Sequence, residues 1–385
     1  MHESKSRSLV KSVLWRLFAT LNSFLILTSS LTGSNILNAI YMNISGLIVY
    51  YLYERVWNRI RFGIKEDNMK KIMVVGGAGY VGTKLTGVLL DRGYDITVVD
   101  LMWFGDNLDK RASVIKKDVF NLTKQDLQGF DSIVFVAGLS NDPMAEYSPS
   151  ENFISNSAAP AYLSYIAKES GVRRLIYASS CSVYGYAVDE FYDESGPTVA
   201  QYPYGLSKLQ GERSVIEMAS DDFSVIAFRK GTVSGYSPRM RLDLVVNTMF
   251  KCAMQDGVIK VNNPSIWRPV LDINDCITAY VRALESDVKI SGVFNLASNN
   301  YTVGEIAELT AKRIKEKTGK EVKLDIKNNP DIRNYKVNFD KIKTVLGYRG
   351  DGSVETIVDD LLENQDSFSD FDNDYYYNIK IFKNR

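Results

Sequence analysis

Tyr204 and Lys208 stand four apart in "YPYGLSK", the spacing that brings two side chains onto one face of a helix. A free phenol titrates near 10, so a tyrosine working as a base near neutrality needs roughly three pKa units of stabilisation, about 4 kcal/mol. A neighbouring ammonium and a positively charged cofactor supply it. By itself such a pair also reads as an exposed helical pair; its place after "YASSCSVYG" (177–185) makes it specific. That stretch offers Ser179, Ser180, Cys181, Ser182 and Tyr184 at the end of an apolar run.

Other chemistries are narrowed by composition. The only histidine is His2, which removes imidazole acid/base catalysis and His-rich metal sites, and no metal site is expected. Cys181, Cys252 and Cys276 are odd in number and far apart, which fits neither a disulfide framework nor a CxxC site and points to a reducing compartment. With 46 basic and 46 acidic residues the chain has no net field to attract nucleic acid, and none is expected as a partner.

A second candidate site lies upstream. "IMVVGGAGYVG" places Gly76, Gly79 and Gly82 between an apolar strand and a helix. Such a turn lets backbone N–H groups and a helix N-terminus approach a pyrophosphate, with Tyr80 and Val81 in the same turn. The next strand ends in Asp100, where a carboxylate takes both hydroxyls of an adenosine ribose. Leu101 and Met102 follow it rather than a basic residue, so a 2′-phosphate is repelled and NAD is the expected cofactor. Asp118, with Val119 beside it, is a candidate for the adenine amino group, or else a plain turn residue.

Around these sites, apolar strands alternate with amphipathic helices: "KIMVVGG", a helix over 80–92, "DITVVD", "DSIVFVAG", a helix over 158–170, "RRLIYASS", a helix over 204–220 and "FSVIAFRKG". The pattern predicts an α/β fold, a doubly wound parallel (Rossmann) sheet over 68–232, with a smaller C-terminal α/β substrate-binding lobe over 233–364 and some segments returning to the sheet. The tail, 365–385, is acidic, then aromatic, then basic, compatible with disorder or with docking on the body.

Residues 1–67 differ in character. "LFATLNSFLILTSSL" (17–31) and "ILNAIYMNISGLIVYYLY" (36–53) flank the turn "TGSN", giving a transmembrane helical hairpin as the expectation. Asn22, Asn38 and Asn43 weaken the apolar runs unless they bond across the pair. Lys5, Arg7, Lys11 and Arg16 before the hairpin, and Arg55, Arg59, Arg61 and Lys65 after it, put both ends and the catalytic domain in the cytoplasm. A surface-lying or dimerising hairpin is the alternative.

Taken together, GGAGYVG, Asp100, SSCSVYG and YGLSK resemble the extended short-chain dehydrogenase/reductase family, the NAD-dependent nucleotide-sugar epimerases and dehydratases, over about residues 70–364. The resemblance implies a nucleotide-diphosphate sugar substrate. Ser180 then hydrogen-bonds the reacting sugar oxygen, Tyr204 is the acid/base, and Lys208 holds the nicotinamide ribose. It also implies cofactor roles for Ala137, Leu139 and Asn156, substrate-diphosphate contacts for Asn247 in "LVVNTM" and Arg268 in "WRPV", and a homodimer through helices 158–170 and 204–220. Ser140 departs from the basic residue that some 4-epimerases carry there. Arg239, Arg241 and Arg333 are further candidate phosphate contacts. The hairpin is similar to a small two-helix membrane domain of unknown function.

Members of this family share oxidation at C4 of the sugar. Similar dehydratases and decarboxylases carry an acid two places after the catalytic hydroxyl; here that place is Ser182, and a hydroxyl is a poor base. The GDP-sugar epimerase/reductases that use a cysteine with a distant histidine are likewise not matched. The expectation is 4-epimerisation, with a 4-ketosugar reductase or dehydratase as the enzymatic alternatives and a catalytically silent, membrane-anchored NAD-binding scaffold as the alternative of another class.

Overall fold

The computed structural model describes residues 2–3, 5–29, 32–57, 64–65, 70–328 and 334–385, and the chain divides into two compact units, 1–69 and 70–385. Arg59, Arg61 and Arg333 lie outside the described residues.

In the first unit, helix α1 (Lys5–Ser29) and helix α2 (Asn35–Trp57) pack as a hairpin, and both contain stretches long and apolar enough to cross a bilayer. The three asparagines behave differently from one another. Asn22 Nδ2 donates across the pair to Ser45 Oγ at 2.9 Å, Asn38 bonds Thr32 in the turn, and Asn43 bonds back to the Ala39 carbonyl of its own helix. Trp15 meets Tyr50 edge-on at 4.8 Å between the helices, and Lys11 pairs with Glu54 at 3.0 Å. Leu17, Leu21, Phe24, Leu25, Leu47 and Ile48 point outward and exposed. Apolar side chains thus face outward, while the Asn22–Ser45 bond lies between the helices.

The second unit is built on seven parallel strands: β1 (Lys71–Val75), β2 (Asp95–Asp100), β3 (Ser113–Lys116), β4 (Ser132–Phe135), β5 (Arg174–Ser180), β6 (Ser224–Lys230) and β7 (Gly292–Leu296), in the order β7-β6-β5-β4-β1-β2-β3. Alternate residues of one strand serve different layers. Ile72, Val74, Val98, Val134, Ile176, Ile226 and Phe228 pack with helices α3 (Tyr80–Asp91) and α6 (Ile273–Glu285); Met73, Val75, Ile133, Phe135, Leu175, Tyr177 and Val225 pack with α4 (Ala159–Glu169). Burial on both faces is why these strands read as unbroken apolar runs. Strand order reverses between β1 and β4, which opens a crevice at their carboxyl ends.

The expected 158–170 helix starts earlier. Pro149–Phe153 is helical and runs through a π-helical segment, Ile154–Ala158, into α4. Helix α5 spans Pro203–Ile216, shorter than the expected 204–220. Beyond β6, a small sheet of Thr232–Ser234, Trp267–Asp272 and Asn299–Thr302 carries the lobe, with helices Val245–Asp256, Val303–Thr318 and Val354–Glu363 around it. The tail is docked: Phe368 is buried against Tyr236 and Phe250, and the short helix Asn378–Lys383 buries Phe382 among Leu139, Met144 and Trp103.

Candidate active site

The crevice is a cavity of about 530 Å³ whose lining runs from the glycine turn to the ends of β5 and β6 and on to Arg268 and Tyr335 of the lobe. At one end the chain turns at Gly76, with φ +84°, and a Cβ there would sit 2.4 Å from the Ala137 nitrogen. A Cβ on Gly82 would lie 2.4 Å from the Gly76 carbonyl oxygen, so β1 and α3 come this close only as glycines. Helix α3 begins at Gly79 with no side-chain cap, leaving its first N–H groups, from Tyr80 and Val81 onward, without a capping partner. Asp100 ends β2 and accepts from Ala78 N at 3.0 Å and Met102 N at 2.8 Å; burial pushes its pKa up against those bonds. Asp118, Val119, Ala137 and Leu139 also line the cavity, and Asp118 caps the following turn through Phe120 N. A tight glycine cradle, an uncapped helix start and a carboxylate at the next strand end fit a dinucleotide.

At the other end, β5 delivers Ser180, which is 8% exposed, and whose hydroxyl accepts from Ser182 N at 3.1 Å. Helix α5 brings Tyr204 to the same end of the cavity wall as Ser180, near enough for the serine hydroxyl to lower its pKa. Its approach is tight: a Cβ on Gly211 would meet the Asn156 carbonyl oxygen at 2.1 Å. Lys208, one turn on, is buried and donates to the Ala178 carbonyl at 3.1 Å. Pulling the tyrosine down takes an ammonium and a charged cofactor. In the protein alone burial pushes the Tyr204 pKa up, Ser180 and Arg241 oppose that, and Asp142 adds to it. Lys208 is itself drawn down to about 7, first by burial and then by Lys230.

Cys181 is fully buried, donates its thiol to the Arg229 carbonyl, and has its pKa pushed up by burial, so it is no nucleophile. Tyr184 is structural: it donates to Asn295 Oδ1 at 2.7 Å and accepts from Arg229 Nη1 at 2.8 Å. Arg229 is held by Glu212, which also accepts from Ser179 Oγ at 2.6 Å.

Lys208, Asn156 and Asn247 are not on the cavity wall. Asn247 is fully buried and absent from the cavity wall; its amide is spent on Gly235 N at 2.9 Å and the Arg241 carbonyl at 2.8 Å, so it shapes the 235–241 loop. Asn156, also outside the wall, donates to the Leu139 carbonyl, Asn152 and Ser207, fastening the 137–139 segment to α5. Arg268 does line the cavity, with its guanidinium 5.9 Å from the Tyr335 ring centroid. Among the wall residues with no place in the sequence-based expectation are Lys230, Asp142 and Asn378. Lys230 ends β6 in register with Ser180, Asp142 opens a short helix, and Asn378 arrives from the tail. The "RKG" ending an apolar run signalled Lys230 weakly; no local signal marked Asn378.

A sequence profile of the NAD dependent epimerase/dehydratase family matches residues 72–297, well over half of the chain. The chain is 26% identical over 313 residues to a UDP-glucose 4-epimerase of Corynebacterium glutamicum, covering 75% of this chain and 94% of that protein. It is 24% identical over 331 residues to a UDP-glucose 4-epimerase of Bacillus subtilis, covering 75% and 95%. Among solved structures, UDP-glucuronic acid 4-epimerase from Bacillus cereus in complex with UDP-glucuronic acid and NAD superposes with a TM-score of 0.65 at 22% identity, covering 75% and 97% of the two chains. MoeE5 in complex with UDP-glucuronic acid and NAD gives 0.67 at 23% identity, covering 76% and 98%.

Proposed function

Because the chain belongs to the NAD-dependent epimerase/dehydratase family, with UDP-sugar 4-epimerases among its near full-length relatives, we propose that it is an NAD-dependent nucleotide-sugar epimerase inverting C4 through a 4-keto intermediate. The observation that carries this reading is that Ser180 and Tyr204 share one end of a cavity whose other end is a dinucleotide cradle, with Ser182 where elimination needs a carboxylate. Ser180 orients the sugar 4-hydroxyl, and Tyr204 Oη takes its proton and returns it to the inverted alcohol. Lys208 stabilises the phenolate and holds the nicotinamide ribose. Arg268 holds the substrate diphosphate. Gly76, Gly79, Tyr80, Val81 and Gly82 receive the cofactor's phosphates, Asp100 its adenosine ribose, Asp118 and Val119 its adenine, with Ala137 and Leu139 forming the wall. NAD, when bound, would supply the hydride-transfer chemistry at C4 of the sugar.

The test is incubation of the purified protein with UDP-, GDP-, CDP- and dTDP-sugars, without added cofactor, followed by NMR. An isomeric product is expected. Asp142, whose charge reaches Tyr204, favours a dehydratase as the second reading, and a product lighter by one water would establish it instead. Turnover only with added NAD(P)H would mark a reductase.

Lys230 gives this reading a pH signature. Lys208 works as an ammonium, which is present below its pKa and lost as pH rises through it. Lys230→Met removes a like charge, so the Lys208 pKa should rise from about 7 and the alkaline limb of kcat/KM should move to higher pH. An alkaline limb that stays in place means that Lys208 is not the group titrating there.

The hairpin anchors the enzyme at the cytoplasmic membrane face, in keeping with its outward apolar side chains. Full-length protein should sediment with membranes and need detergent, whereas residues 70–385 should stay in the supernatant; full-length protein soluble without detergent would exclude anchoring. A homodimer through α4 and α5 is supported by exposed Tyr165 and Leu206 on those helices.

A further inference from the structure

Arg239 is a buried cation with an incomplete set of bonds. It is 3% exposed and lines the cavity, yet no carboxylate pairs with it among the described residues. Its Nη2 donates to Asn378 Oδ1, its guanidinium lies 3.8 Å from the Phe104 ring centroid, and its Nε has no hydrogen-bond partner. Burial, with Arg241 adding, pulls its pKa down to about 9. A guanidinium in this state is stabilised by an anion that brings its own oxygens.

The loop carrying Arg239 lies against the start of α3. Ser237 Oγ donates to the Tyr80 carbonyl at 2.7 Å, Tyr80 Oη donates to the Gly235 carbonyl, and Arg239 is close enough to Asp100 to lower its pKa. The uncapped N–H groups of α3 and an unpaired guanidinium are thus held at the same end of the crevice. A diphosphate suits both: it carries two charges, backbone N–H groups take the oxygens of one side, and the planar fork of an arginine takes two oxygens of the other.

We propose that Arg239 is a cofactor-binding residue that grips the diphosphate of NAD from the second lobe, preset by the C-terminal tail. This rests on the reading of the crevice as the NAD site. Asn378 is the presetting group: 5% exposed, it accepts from Arg239 and donates its Nδ2 to Ser140 Oγ at 2.7 Å. Ser140 carries no charge of its own. Through Asn378 it helps to fix a cation that comes from 99 positions further along the chain.

Full-length protein freed of nucleotide and titrated with adenosine, ADP-ribose and NAD provides the test. Arg239→Met should weaken ADP-ribose and NAD by about 10- to 100-fold and leave adenosine within about twofold, because adenosine has no diphosphate. Asn378→Asp, nearly the same shape, supplies a carboxylate to neutralise Arg239 and should weaken the same two ligands; it carries the test if Arg239→Met does not fold. Equal losses for all three ligands, or unchanged NAD affinity in the folded variants, overturn the proposal. Loss of NADP affinity alone overturns it too, by moving Arg239 to a ribose phosphate. Normal NAD binding with no isomerisation of any nucleotide sugar would instead sink the catalytic reading and leave this one standing.

Discussion

Tyr204→Phe is expected to lower kcat by about 10²- to 10⁴-fold while the purified protein keeps its NAD. The substitution removes one oxygen from the ring. What is lost is the group that takes the proton from the sugar hydroxyl and hands it back, beside Ser180 on the cavity wall. Losing one neutral hydroxyl costs about 1 kcal/mol of stability, far less than the effect on the barrier. The measurement is the initial rate of isomer formation by NMR, beside the nucleotide released on denaturation. A rate within a few fold of wild type would mean that the proton leaves by another route, and any glycan phenotype that survives the change would assign the protein's role to binding rather than turnover.

Glu212→Ala should produce the largest loss of stability, about 3–5 kcal/mol, read as a shift in the denaturation midpoint of the purified chain. Glu212 is 2% exposed, and Arg229, at 5%, contacts it through Nη2 at 2.7 Å and through Nε. Without the carboxylate, Arg229 stays buried as a charge, Ser179 loses its acceptor, and the Arg229–Tyr184–Asn295 chain that supports the 181–184 turn is left with one end loose. An exposed pair such as Lys312–Glu316 is worth about 0–1 kcal/mol and serves as the control. Equal shifts for the two pairs would show that Glu212 and Arg229 contribute no more than a surface contact.

The strands and the glycine turn were legible because each is a local pattern with one physical cause: burial on both faces makes an apolar run, and a close turn demands glycine. The helix that carries Tyr204 and Lys208 one turn apart was legible from spacing joined to position. Asn156 and Asn247, expected as ligand contacts, are buried off the cavity wall and bond loop backbone. An amide that bonds a ligand and one that bonds a loop carbonyl look alike in sequence, and only burial separates them. The helix before α4 was missed because the π-helical segment at Ile154–Ala158 interrupts the helical period. Asn378 and Arg239 meet across 139 positions, and nothing local distinguishes such a partner from the other polar residues of an acidic and aromatic tail.

One feature of the sheet bears on how the protein can be divided. Its outermost strand on one side, β7, comes from residues 292–296, after the lobe has begun, and it pairs with Ile226–Lys230 of β6. A chain cut near 232 would leave β6, seven residues long and buried over most of its length, with its ladder groups unpaired along one side. Such an edge is a template for strand addition between molecules. A severed nucleotide-binding half therefore faces aggregation, and the two lobes must be made, and kept, as one cooperative body.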